Sequence, residues 1–221
     1  MLVRGRAGSG GPGRLVVLDF DGVLLDTERI AVTVWRELLR DHSPRSRLRP
    51  TVRPDGTLDR EAWRRCLTDR LGARGTRRLW GEFERRNREQ ADLADTKSGV
   101  RPFLAHCAER GHRLAVASGN ALDWVEGHLA RLGIRSCFAS VNCAGPGVRT
   151  KPAPDTYLQA LKCVPSPGSE VLAVEDSYTG LAAAHAAGLP SVWLTDVPLP
   201  AVPPVPVSRR VRTLDELIGS L

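Results

Sequence analysis

Lysine is nearly absent: Lys97, Lys151 and Lys162 are the only three among 32 basic residues, and the rest are arginine. Methionine occurs once and aromatic residues make up 5%. No apolar run approaches the ~18 residues that a membrane-spanning helix needs, so no membrane partner is expected. The opening MLVRGRAGSGGPG has no apolar stretch behind its arginines and does not read as a secretory signal. Its glycines lack a following Lys-Ser/Thr, so it is no phosphate-binding P-loop either. The five cysteines (Cys66, Cys107, Cys137, Cys143 and Cys163) are odd in number, widely spread and without a CxxC pair. That excludes a disulfide scaffold and a cysteine zinc site, and fits a reducing cytoplasm. His106, Cys107 and His112 lack a fourth ligand at zinc spacing.

What is present is a chain of 221 residues with 42% hydrophobic residues, enough for a buried core and too many for a disordered chain. The length fits one large domain or a core domain carrying a smaller insert. The net charge of +7 is unevenly spread. Residues 28–98 hold 17 Arg and one Lys against 12 acids, a surplus of +6, while the remainder carries +1. A basic segment attracts anionic substrates or nucleic acid. Here the arginines interleave with acids at helical spacing, as on a solvated face, and no nucleic-acid motif occurs. No nucleic-acid partner is expected.

Residues 1–13 read as a disordered, glycine-rich extension. RLVVLDF is then a short apolar run typical of a buried strand. ERIAVTVWRELLRDH predicts a helix with Ile30, Val34 and Leu38 on one face. SPRSRLRPTVRPDG predicts a loop, and LDREAWRRCLTDRLG and Thr76 to Leu93 two more amphipathic helices. From Gly99 the pattern changes to strands near RLAVAS, FASVNC, EVLAVED, SVWLTD and VSRRV, separated by helices and closed by a terminal helix. Strands alternating with helices predict a doubly wound parallel α/β sheet covered on both faces. The helical segment 28–98 interrupts that alternation after the first strand, so it is an insert. The predicted organisation is a core of residues 14–27 and 99–221 with an inserted α-helical domain of residues 28–98.

Ligands of open α/β sheets bind at the carboxyl ends of strands. The first predicted strand ends in Asp19 and Asp21, the second in Ser118, Gly119 and Asn120. Lys151 lies between the third strand and its helix, and the fourth strand ends in Glu175 and Asp176. Alone, each is an ordinary turn or cap residue. Together they suit phosphoryl transfer. Several carboxylates at one place repel unless a cation sits among them, and oxygen ligands favour Mg²⁺. Lys151 suits the charge of a substrate phosphate, and Ser118 with the amides of Gly119 and Asn120 suits its oxygens. An aspartate is already ionised at neutral pH and needs no base to attack phosphorus. A carboxyl two residues on faces the same side of an extended backbone and suits general acid/base work.

These residues carry a resemblance. LDFDGVLLDTE, VASGN, TKPAPDTY and VEDSYTGLAAAHAAGL resemble, in order, the four motifs of the haloacid dehalogenase-like hydrolase superfamily, in the branch of sugar-phosphate phosphatases and β-phosphoglucomutase. The resemblance spans residues 14–28 and 99–195. It implies a Rossmann-like core with Asp19 as nucleophile and Asp21 as general acid/base. It implies phosphate binding by Ser118, Gly119, Asn120 and Lys151. It also implies Mg²⁺ held by the Asp19 side chain, the Asp21 carbonyl and Asp176, with Glu175 assisting directly or through water. Residues 28–98 stand where the family carries a helical cap.

Asp21 favours a phosphate ester, because dehalogenases of the superfamily have no leaving alkoxide to protonate and lack an aspartate there. The mutase carries a histidine twelve residues after its nucleophile, and this chain has Ala31 at that offset. The expected partner is a small phosphorylated metabolite, and the expected activity is phosphatase. A phosphosugar mutase and a non-catalytic phospho-ligand binding protein are the alternatives. Arg45, Arg47, Arg49 and Arg53 either contact the substrate or are solvated surface. Asp26 and Thr27 are expected to serve as hinge and loop shape, with substrate contact the alternative. His42, a lone histidine, is expected to be incidental, and the five tryptophans to serve mostly in packing. The sequence leaves the particular ester and the oligomeric state open.

Overall fold

The structure is a computed structural model that describes residues 13–42, 48–164, 169–198 and 201–221. The glycine-rich extension, apart from Gly13, and the loop residues Arg45 and Arg47 lie outside the described residues.

Six parallel strands form one sheet in the order β3-β2-β1-β4-β5-β6. They are β1 Leu15–Leu18, β2 Arg113–Ser118, β3 Ser140–Cys143, β4 Val171–Glu175, β5 Ser191–Leu194 and β6 Arg209–Val211. The doubly wound sheet expected from the alternation of strands and helices is what the chain forms. Between the strands lie α3 Val100–Glu109, α4 Leu122–Arg131, α5 Asp155–Ala160 and α6 Tyr178–Ala186. The strand order reverses between β1 and β4, which opens a crevice at their carboxyl ends.

β1 is fully buried, and its side chains alternate between two cores. Val16 and Leu18 pack with Phe103, Leu104, Val125 and Leu129 from α3 and α4. Leu15 and Val17 pack with Tyr157, Ala160, Ala183 and Ala184 from α5 and α6. The period of two along a strand thus makes each face of the sheet a separate apolar layer. The expected terminal helix is only a 3₁₀ turn, Leu214–Leu217. Thr213 and Glu216 cap its start, and Gly219, at a φ of 84°, follows within two residues of its end, where a left-handed glycine stops a helix.

Two further helices, α1 Thr27–His42 and α2 Arg60–Leu93, lie between β1 and α3. α2 covers both helices expected between residues 58 and 93, with a non-helical break at Gly72. α1 and α2 share a third apolar core that draws no residue from the sheet. At its centre Trp35 stacks on Phe83 at 4.4 Å and meets the rings of Trp63 at 5.5 Å and Trp80 at 5.3 Å. Nε2 of His42 lies 2.9 Å from a carboxylate oxygen of Glu82 and ties the two helices at their surface. The carbonyls at the carboxyl end of α2 would be orphaned. Arg131 of α4 donates to two of them, Ala94 at 2.8 Å and Ala91 at 3.1 Å.

Replacing Trp35 by alanine removes the ring on which three others pack. The expected loss is about 3–5 kcal/mol of unfolding free energy. Denaturant titration followed by tryptophan fluorescence and circular dichroism checks it.

Candidate active site

The carboxyl ends of β1, β2 and β4 and the loop after β3 bring Asp19, Lys151, Glu175 and Asp176 into one buried cluster. The Asp19 amide donates to the Val174 carbonyl at 3.0 Å, so the end of β1 is held against β4. Lys151 Nζ donates to Asp19 Oδ1 at 2.7 Å and to Glu175 Oε1 at 2.5 Å. Carboxylate oxygens of Asp19, Glu175 and Asp176 all lie within 4.8 Å of one another.

Burial opposes the Lys151 charge, but Asp19 and Glu175 beside it outweigh burial and hold its pKa above the ordinary lysine value. Burial and the Asp19 charge push Glu175 up to about 7, against the pull of Lys151 and Tyr157. Burial, Asp19 and Glu175 raise Asp176 well above the usual carboxylate range. Glu175 is 0% exposed, and its Oε2 has no hydrogen-bond partner among the described residues. A single ammonium therefore faces three carboxylates, two buried and one half-buried, and one of them has an orphaned oxygen. This all-oxygen donor set fits a hard divalent cation.

The backbone after β1 turns sharply: the Leu24 and Leu25 amides both donate to the Phe20 carbonyl, at 2.9 and 3.1 Å. Asp21, in this turn, receives Asn120 Nδ2 on its Oδ2 at 2.6 Å. Burial and then the neighbouring Asp19 push the Asp21 carboxyl up to about 6. Gly119 and Asn120 line the cavity above the cluster, but Ser118 does not. Ser118 is 0% exposed, and its Oγ accepts from the Asn120 amide at 3.1 Å, which shapes the turn.

That cavity measures about 1280 Å³ and runs from Asp19, Asp21, Lys151 and Asp176 to residues of α2 and the segment before it. Arg53, Arg60 and Arg88 line its far side. Of the arginines in the loop before α2, Arg49 bonds only the Leu48 carbonyl and does not reach the cavity, whereas Arg53 does. Arg53 is braced by the Leu58 carbonyl at 3.0 Å. Thr27 lies on the cavity wall at the start of α1, and Asp26 borders a smaller neighbouring cavity.

Several residues of this site carry no obvious mark in the sequence. Tyr157, fully buried in α5, donates its hydroxyl to Glu175 Oε1. Trp193 of β5 reads as packing but also donates its indole N–H to the Asp176 carbonyl at 2.9 Å. Lys97 donates to the Gly22 carbonyl at 2.7 Å. Two glycines are required by close approach. A Cβ on Gly180 would stand 1.9 Å from Glu175 Oε2, and one on Gly22 1.7 Å from Asp176 Oδ2. The positive φ of 74° at Gly22 adds a second reason for glycine there.

The haloacid dehalogenase-like hydrolase family model matches residues 14–188. The chain belongs to this family. Within the family it is similar to the Bacillus subtilis protein YhcW, 28% identical over 180 residues, spanning 81% of this chain and 82% of that protein. It is also similar to the fructose-1-phosphate phosphatase YqaB of Escherichia coli, 27% identical over 181 residues, spanning 80% of this chain and 94% of that one. The solved structure of a HAD-superfamily hydrolase, subfamily IA, from Geobacter sulfurreducens shares the fold. Its TM-score is 0.66 at 24% identity, covering 97% of this chain and 100% of that one. In this HAD-like hydrolase the cluster of Asp19, Glu175 and Asp176 lies at the β1/β4 crevice.

Gly180→Ala drives a methyl group into the Glu175 carboxylate. The variant is expected to fold with a lowered Tm and to lose the stabilisation that added Mg²⁺ gives the unaltered protein. A thermal melt with and without the metal reads both effects.

Proposed function

We propose that the protein is a cytoplasmic, Mg²⁺-dependent phosphatase that hydrolyses a small phosphate monoester, a sugar phosphate, through an aspartyl-phosphate. The observation that carries this reading is the buried Asp19–Lys151–Glu175 chain beside Asp176, opening into a cavity large enough for a phosphorylated metabolite. The name of the similar YqaB supports the substrate class. In this reading residues 28–98 act as a cap over a core of 14–27 and 99–221. The cysteine pattern supports the cytoplasmic setting.

Asp19, Glu175 and Asp176, with the Asp21 carbonyl, would hold the cation. When bound, it supplies positive charge to the phosphoryl group and relieves the repulsion between nucleophile and phosphate. Asp19 attacks phosphorus in line with the departing oxygen and forms an acyl phosphate. Lys151 holds a phosphoryl oxygen by charge, while the Gly119 amide donates to a second; the Asn120 amide is taken by Ser118 Oγ, which shapes the turn. Asp21, with its pKa pushed up to about 6, carries a proton at a pH where ordinary aspartates have lost theirs. It gives that proton to the leaving alkoxide and then takes one from the water that opens the acyl phosphate. Asn120 on its Oδ2 fixes which oxygen faces the reaction.

The mutase alternative requires a cap group that reorients a sugar intermediate. Ala31, at the offset of the mutase histidine, is buried within the apolar core shared by α1 and α2. A phosphatase needs no such group.

Asp19→Asn is expected to lower phosphate release by at least about a thousandfold, because the covalent step disappears. Chelation should abolish release in the unaltered enzyme and Mg²⁺ restore it; turnover that persists in excess chelator, or near-normal turnover by Asp19→Asn, would falsify the assignment. A second measurement concerns Asp21→Asn. It should slow hydrolysis of sugar phosphates far more than formation of the acyl phosphate from a nitrophenyl phosphate, whose leaving group needs little protonation. Steady-state rates and burst amplitudes on the two substrates compare them.

A further inference from the structure

Residues 51–59, between α1 and α2, form a short hairpin. Val52 and Leu58 pair as an antiparallel bridge, and the Arg53 amide donates to the Thr57 carbonyl at 2.8 Å. Glu28 of α1 accepts the Leu58 amide at 2.9 Å and fixes the base of the hairpin. Its tip presents Arg53 and Thr57 to the main cavity. Asp55, also at the tip, points the other way and is only 5% exposed. Its Oδ1 accepts from the Thr57 amide at 3.0 Å and hydroxyl at 2.7 Å. Its Oδ2 accepts the Tyr178 amide at 2.8 Å, across 123 residues of sequence.

Tyr178 is the first residue of α6, where amides lack helical partners and the helix dipole favours negative charge. It follows Asp176, a carboxylate of the acidic cluster, by two residues. The Ser177 hydroxyl accepts the Gly180 amide at 3.1 Å, so Asp55 and Ser177 divide the first turn of α6 between them. The hairpin tip also packs on the segment after β5: a Cβ on Gly56 would lie 3.0 Å from Val197.

We propose that Asp55 is a positioning residue: its carboxylate docks the 51–59 hairpin on the amino end of α6 and so holds Arg53 and Thr57 over the reaction centre. The inference rests on the phosphatase reading for its substrate, but the docking itself does not. One carboxylate satisfies donors on two elements, one through each oxygen. An asparagine has a single acceptor oxygen and cannot serve both. Arg53 and Thr57 touch substrate beyond the phosphoryl group, so a minimal aryl ester has little use for them.

Amide hydrogen exchange of the full chain reads the docking directly. In both Asp55→Ala and the isosteric Asp55→Asn, exchange is expected to rise about tenfold or more at residues 51–59 and at Tyr178, leaving β1 unchanged. With a sugar phosphate, kcat/KM should fall about tenfold or more, while nitrophenyl phosphate turnover stays within about threefold. Unchanged exchange at Tyr178 overturns the proposal. So does an equal loss on both substrates, or a chain-wide rise in exchange that reaches β1, since either makes Asp55 a general fold residue. If the unaltered protein hydrolyses neither ester, the phosphatase reading falls and the exchange data alone decide the docking.

Discussion

Three carboxylates gathered in one crevice, two of them buried, set the terms for the rest of this molecule. Two unit charges about 4 Å apart repel by about 4 kcal/mol at an effective dielectric near 20. Asp19, Glu175 and Asp176 therefore stay together only because the sheet on which they are built is stable without them. The two apolar layers against β1 supply that stability, and Lys151 offsets part of the repulsion by bonding Asp19 and Glu175 at once. One ammonium leaves the cluster short of positive charge. That deficit is what the cation of the proposed reaction would offset.

The surrounding residues keep the cluster from relaxing. Tyr157 holds one oxygen of Glu175, Trp193 holds the Asp176 carbonyl, and Asn120 holds Asp21. Tyr157 is anchored on α5, Trp193 on β5 and Asn120 in the turn after β2. A Glu175 carboxylate that swung away from its neighbours would have to break its buried bond to Tyr157. Preorganisation here is a set of local bonds imposed on groups that would otherwise separate.

The parallel sheet and the acidic constellation were legible in the sequence because both obey short-range rules. A buried parallel strand is a run of apolar β-branched residues, and the loop at its carboxyl end follows at once. Asp19, Asp21, Ser118, Glu175 and Asp176 therefore sit within three residues of a recognisable strand. Lys151 was marked by its neighbours in TKPAPDTY. Tyr157 lies in the same stretch, yet nothing local says that its hydroxyl reaches β4. Asp55 looks like an ordinary turn residue beside Pro54 and Gly56, and its partner is 123 residues away. Gly22 and Gly180 read as a turn and a helix start, while the need for them comes from a carboxylate packed against each. The arginine loop misled by number. Of its two described arginines, only Arg53 lines the cavity, because the hairpin turns it inward. The terminal helix was overestimated because its apolar spacing reads on past the single 3₁₀ turn that ends just before Gly219.

Arg131 makes the carboxyl end of α2 a pivot. By gripping Ala91 and Ala94, it fixes that end of the helix to α4 while the limb back to Gly72 extends for roughly 30 Å. A rotation of roughly 10° about the held end carries the Gly72 end through about 5 Å but moves Arg88, a few residues from the grip, by less than about 2 Å. Displacement thus grows along the limb with distance from Arg131. The wall of the cavity contributed by Arg88 is therefore its stiff side, and the stretch of α2 nearest Gly72 is the part that swings furthest.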